Sequence, residues 1–115
     1  MAKNAQTLKI KDLSPDELKN AVRDGLVSMT ISDRIGFIEA LESELRKLDL
    51  NIRAYLVPLG IPGRSAEDLT PNEVGHLVRF LKINVPKAIP AIERAMSRYS
   101  AFAEKSGKVG SRLAA

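Results

Sequence analysis

An all-α fold is predicted by two features of this chain: capping signals that open helices, and apolar seams that recur with heptad spacing. "SPDE" (Ser14–Glu17) and "TPNE" (Thr70–Glu73) each set a hydroxyl residue before a proline, with a glutamate three positions on. The hydroxyl accepts from an N–H that the first turn leaves unpaired. Proline loses nothing there, and the glutamate returns a bond to the cap residue. Ile38, Leu41, Leu45, Leu48, Ile52, Tyr55 and Leu59 form one seam of alternating three- and four-residue steps. Val78, Leu81, Val85, Ala88, Ile92, Ala95, Tyr99 and Phe102 form a second. Such seams favour long helices packed side by side. The expected architecture is a short capped helix over an antiparallel hairpin of two long amphipathic helices.

Taken in order, residues 1–13 read as a flexible or extended arm. Within it, "TLKIKDL" (Thr7–Leu13) alternates apolar and polar residues, the pattern of a short strand or an extended segment. The first helix opens at Ser14, buries Leu18, Ala21, Val22 and Leu26, and ends or loosens near Gly25. The second start lies near Thr30 or Ser32, and its seam runs to Pro58 and Gly60. "GIPGRSAEDL" (Gly60–Leu69) is the connecting loop. "LSPDEL" and "LTPNEV" are alike and each leads to a Val-Arg pair, which fits either duplication or convergence on one good cap.

The last seam keeps its phase through Pro86 and Pro90. An interior proline costs about 3 kcal/mol, and less where a fresh helix begins. Asn84 could cap such a helix, so a kink or break is expected near residues 83–86, with helix resuming to about residue 104. Residues 14–105 then form one helical domain, and residues 106–115 a disordered tail.

The chain has no cysteine, which removes disulfides and thiolate chemistry. No apolar stretch reaches the roughly 20 residues of a membrane span, and none at the N-terminus suits a signal peptide, so a cytoplasmic protein is expected. Charge is uneven: residues 1–75 hold 10 Lys/Arg against 12 Asp/Glu, whereas residues 76–115 hold 8 against 2. A basic final third suits an anionic partner, or balances acidic residues on a neighbouring helix.

Lys87, Arg94, Arg98 and Lys105 fall within roughly 40° of one another at helical spacing. A basic stripe of this kind can follow phosphates. Thr7, Lys9 and Lys11 would add an extended basic segment able to enter a groove. The strand-like segment, capped helix, "TISD" and amphipathic helix are loosely similar to ribbon-helix-helix DNA-binding proteins over about residues 7–45. The turn lacks that family's well-placed glycine, and "RIGFIEAL" departs from its spacing. A helix-turn-helix over "LTPNEVGHLVRFLKINVPKAIPAIER" would carry Lys87 and Arg94 on its second helix, but with Pro90 inside it.

Catalytic chemistry is not expected. His76 is the only histidine, "SAED" (Ser65–Asp68) has no base beside it, and "GIPGRS" lacks the ending of a phosphate-binding loop. No metal, cofactor or small-molecule substrate is implied. Glu39, Glu42 and Glu44 read as solvent face. Two functions remain: a small basic nucleic-acid-binding protein, with DNA favoured over RNA, and a helical adaptor or assembly subunit. The adaptor would dock an acidic protein surface or pair as a homodimer through its seams.

Overall fold

The structure, a computed structural model, describes residues 10–61 and 68–102, apart from the Lys11 side chain. Among these residues the chain is mostly helical and holds no strand. Helix α1 spans Pro15–Val27. The Ser14 hydroxyl accepts from the Glu17 N–H at 3.1 Å, and the Glu17 carboxylate accepts from the Ser14 N–H at 2.7 Å. The other end of α1 is tied by Arg34, whose Nε donates to the Leu26 carbonyl at 2.8 Å. Helix α2 spans Ile31–Arg46, with Thr30 as its cap. The α1 helix runs through Gly25 rather than ending there.

The first seam does not lie on one long helix. After α2 the Leu50 N–H donates back to the Leu45 carbonyl at 3.0 Å, and the Asp49 N–H to Arg46 at 2.9 Å. Asp49 has a φ of 61°. This is a Schellman stop, in which one left-handed residue lets the chain close its own helix. Helix α3, Ile52–Leu56, follows and ends the same way: Ile61 donates to Leu56, Gly60 to Val57, and Gly60 has a φ of 72°. The seam stays in phase because "LRKLDL" (Leu45–Leu50) and "LVPLGI" (Leu56–Ile61) are the same stop, set eleven residues apart.

Gly60 adopts the left-handed conformation freely, whereas Asp49 carries a Cβ there, at a cost of about 1–2 kcal/mol. Asp49 is exposed. Asp49→Gly should therefore stabilise the fold by roughly 1 kcal/mol, seen as a higher urea midpoint with unchanged slope. A lower midpoint would show that the Asp49 side chain itself supports the turn.

Helix α4 spans Pro71–Asn84 behind the Thr70–Glu73 capping box. It packs principally on α1, so the two helices with like openings are partners. They approach closely at Gly75 and Lys19, each five residues past its cap. Arg79 on α4 pairs with Asp16 on α1 at 2.7 Å. Lys82 reaches past the end of α4: its Nζ donates to the carbonyls of Ile10, at 2.6 Å, and Leu13. These bonds hold Ile10–Asp12 as a 3-10 turn with Ile10 fully buried. The described part of the expected strand or arm is thus a docked turn.

At Val85 the backbone leaves the helical region (φ −135°, ψ 71°), Pro86–Ala88 makes a 3-10 turn, and helix α5 runs Ile89–Met96. Asn84 does not cap the new helix. Its side-chain amide donates back to the Phe80 carbonyl at 3.0 Å, closing the helix behind it. Pro90 falls in the first turn of α5, where its missing N–H has no helical acceptor to lose. The chain turns again after Met96 and is helical at residues 100–102, so the helix expected through residue 104 is interrupted within the described residues.

These breaks replace the expected hairpin. With its seams divided at Asp49 and Val85, the chain packs α4 on α1 and α5 on α2. Both seams drain into one core, where Ile38, Leu41, Leu45, Val78, Leu81, Ile92 and Ala95 are almost wholly buried. Phe37 anchors one end, its ring 5.0 Å from Phe102 and 6.1 Å edge-on from Tyr99.

Candidate functional site: a basic face organised on Glu44

Glu44 is the one charged residue buried among the described residues, at 2% exposure. It belongs to the stripe Phe37, Leu41, Glu44, Leu48, which helical geometry turns toward α5. A carboxylate out of water needs partners, and α5 and the turn after it supply them. Arg94 Nε donates to Glu44 Oε1 at 2.9 Å, and Arg98 Nη2 to Oε2 at 2.8 Å. Lys47, one turn on along its own chain, lies 3.5 Å from Oε2. Both carboxylate oxygens are therefore engaged, and among the described residues no buried side-chain polar atom lacks a partner.

The geometry is one-sided. Glu44 is buried, yet the side chains of Arg94 and Arg98 are each 52% exposed and that of Lys47 is 63% exposed. Each guanidinium gives one nitrogen to Glu44 from a side chain that stays half exposed. Three cations meet one anion, so the face keeps an excess of two positive charges.

Of the residues expected on the basic row, Arg94 and Arg98 are brought together. Lys87 is exposed, but it stands in the 3-10 turn Pro86–Ala88, where the helical phase that aligned it with Arg94 no longer applies. Thr7, Lys9 and Lys105 lie outside the described residues; Lys11 falls within the 3-10 turn, its side chain outside the description. Glu44 and Lys47 were missed by sequence reasoning. The sequence pattern sets Glu44 with Glu39 and Glu42 on the solvent face, whereas its spacing from Leu41 and Leu48 is the signal for burial. His76 lies exposed on α4. Glu42, Arg46 and residues 49–53 line an open, polar depression.

The hydrogen bond from Arg94 holds the Glu44 carboxyl below its ordinary value of 4.5; burial opposes this, and the Lys47 and Arg94 charges reinforce it. Arg79 likewise lowers Asp16. A carboxyl whose folded value is depressed contributes stability that is fully present above its unfolded value and is lost as pH falls through the folded one. Thermal stability should therefore begin to fall below about pH 4.5. The acid limb should be shallower in Glu44→Gln than in wild type. Parallel limbs in melts from pH 6 to 2 would show that Glu44 does not carry the effect.

No family model matches this chain, and no match emerges among curated proteins or solved structures.

Proposed function

We propose that this chain is a small, non-enzymatic, helical nucleic-acid-binding protein whose Arg94–Arg98 face contacts the phosphate backbone, with DNA the favoured ligand. The observation that carries this reading is the pair of half-exposed guanidiniums held on one buried carboxylate. Arginine forks held in place suit phosphate oxygens, which accept two donors at once. Exposed Lys87 extends the charge along the same segment. The basic arm (Thr7, Lys9, Lys11) and Lys105 belong to the proposal on sequence grounds. Burial of the seams within the chain's own core also weighs toward the basic face as the contact surface and away from a seam-paired homodimer. A cytoplasmic location would suit this role.

The second reading, a protein-docking adaptor, has its own support. Val27, Ile31, Val57 and Ile83 are large apolar residues left 49–75% exposed.

Fluorescence anisotropy on a labelled duplex, a single strand and an RNA hairpin tests the proposal, at about 50 and about 200 mM salt. Micromolar or tighter duplex binding that weakens steeply with salt is expected. Removing Arg94 and Arg98 alone would leave the buried Glu44 with Lys47 as its one charged partner among the described residues, so the site is best removed whole, as Glu44→Gln/Arg94→Gln/Arg98→Gln. That variant lowers net charge by only one, yet should lose most of the affinity. Absence of wild-type binding at the lower salt would leave the adaptor reading, to be pursued by pull-down against the apolar residues.

A further inference from the structure

We infer that Glu44 is the positioning residue of a phosphate-binding site formed by Arg94 and Arg98; the phosphate-contact chemistry rests on the reading above, but the site itself does not require a nucleic acid.

A free arginine on a surface samples many rotamers, and immobilising it on binding carries an entropic cost. Here much of that ordering is already in place. Arg94 is fixed through Nε and Arg98 through one terminal nitrogen, each on a different oxygen of the same carboxylate. The carboxylate cannot drift, because Glu44 is buried beside Leu41 and Leu45 on α2. Both guanidiniums are thereby confined to one small region of the face, on side chains that stay half exposed. Lys47 joins the same oxygen as Arg98 and adds charge at the edge of the pair.

Charge alone and positioning predict opposite results for Glu44. If the face acts only through its net charge, Glu44→Gln removes a nearby anion and should tighten binding of any phosphate ligand. If Glu44 positions the pair, the same change should weaken binding despite the added positive charge. A glutamine amide has one acceptor oxygen for two guanidiniums, and its NH2 group repels the other.

The experiment is an NMR titration of the arginine Nε–Hε signals of full-length protein, wild type and Glu44→Gln. The two probes are inorganic phosphate and a short DNA duplex. Expected are shifts of both arginine signals in wild type with either probe, and an affinity several-fold weaker in Glu44→Gln. Phosphate binding that shifts both signals and weakens in Glu44→Gln, without any duplex binding, would uphold the site and sink the nucleic-acid reading. Equal or tighter binding by Glu44→Gln would overturn the positioning role and leave the nucleic-acid reading standing. Silence of both signals with both probes would overturn the two together. Should Glu44→Gln fail to fold, Arg94→Lys/Arg98→Lys replaces it, with the affinity for both probes read from backbone amide shifts. That variant keeps every charge and loses the fork, so undiminished affinity there overturns the inference and a several-fold loss supports it.

Discussion

Gly75→Val should destabilise the protein by roughly 3 kcal/mol or more, enough to remove a large share of the 5–15 kcal/mol that holds an ordinary domain together. A Cβ at Gly75 would lie 2.8 Å from the Lys19 backbone carbonyl and 3.2 Å from Lys19 Cγ. The first of these is main chain inside α1 and has no rotamer to change. Relief must come from moving α1 away from α4, along the main helix pair of the fold. Separation would also lengthen the 2.7 Å Asp16–Arg79 pair and loosen Leu18, Val22, Val74 and Val78, all buried beside the crossing. Gly75→Ala is the more telling control. Alanine improves helix propensity by about 1 kcal/mol, while overpacking costs about 1–3 kcal/mol, so a net loss is still expected. Urea denaturation of both variants reads this directly. A gain in stability for Gly75→Ala would mean that the helices are free to part.

Helix openings were legible because cap chemistry is local. Ser14 with Glu17 and Thr70 with Glu73 each complete their bonds within four residues, so the sequence contains the whole interaction. The stops were less legible. At Asp49 the deciding feature is a backbone angle that aspartate adopts at a cost, and an apolar spacing that continued past it concealed the break. Asn84 misled for a related reason: an asparagine beside a proline can serve the helix ahead or the helix behind, and the choice depends on how Val85 turns. Which helix meets which is information of another kind. Ile38 and Val78 belong to the core by pattern alone, but the pairing of α4 with α1 depends on the missing side chain at Gly75. The basic site divides along the same line. Arg94 and Arg98 could be found as a row at helical spacing, whereas their partner is 50 and 54 residues away and resembles its neighbours Glu39 and Glu42 in sequence.

That dependence on distant partners makes the aromatic end of the core the second place to test. Phe102→Ala should cost about 3–5 kcal/mol, the usual range for emptying a buried phenylalanine site. Phe102 is 1% exposed and packs 5.0 Å from the Phe37 ring. Its other face lies on α1 at Gly25, where a Cβ would fall 2.5 Å from Phe102 Cε1 and 2.6 Å from Cδ1. Gly25 is thus a seat for a ring from the far end of the chain and not a helix terminator. Gly25→Ala forces that ring against Phe37 and should destabilise the wild type by about 1–2 kcal/mol after its propensity gain is counted. In the Phe102→Ala background no ring occupies the seat. The same Gly25→Ala change should then be neutral or stabilising by up to about 1 kcal/mol, because propensity is all that remains. A change of sign between the two backgrounds is therefore the expected result of the double-mutant cycle. An equal cost in both would place the penalty of Gly25→Ala somewhere other than the Phe102 ring. The cycle also tests the route by which residues 97–102 are held. Tyr99 is attached to the same cluster, 6.1 Å edge-on from Phe37, and Arg98 lies between the turn after α5 and the Phe102 seat. Loosening the ring should therefore broaden the Arg98 Nε–Hε signal before that of Arg94, which α5 holds independently of the aromatic cluster.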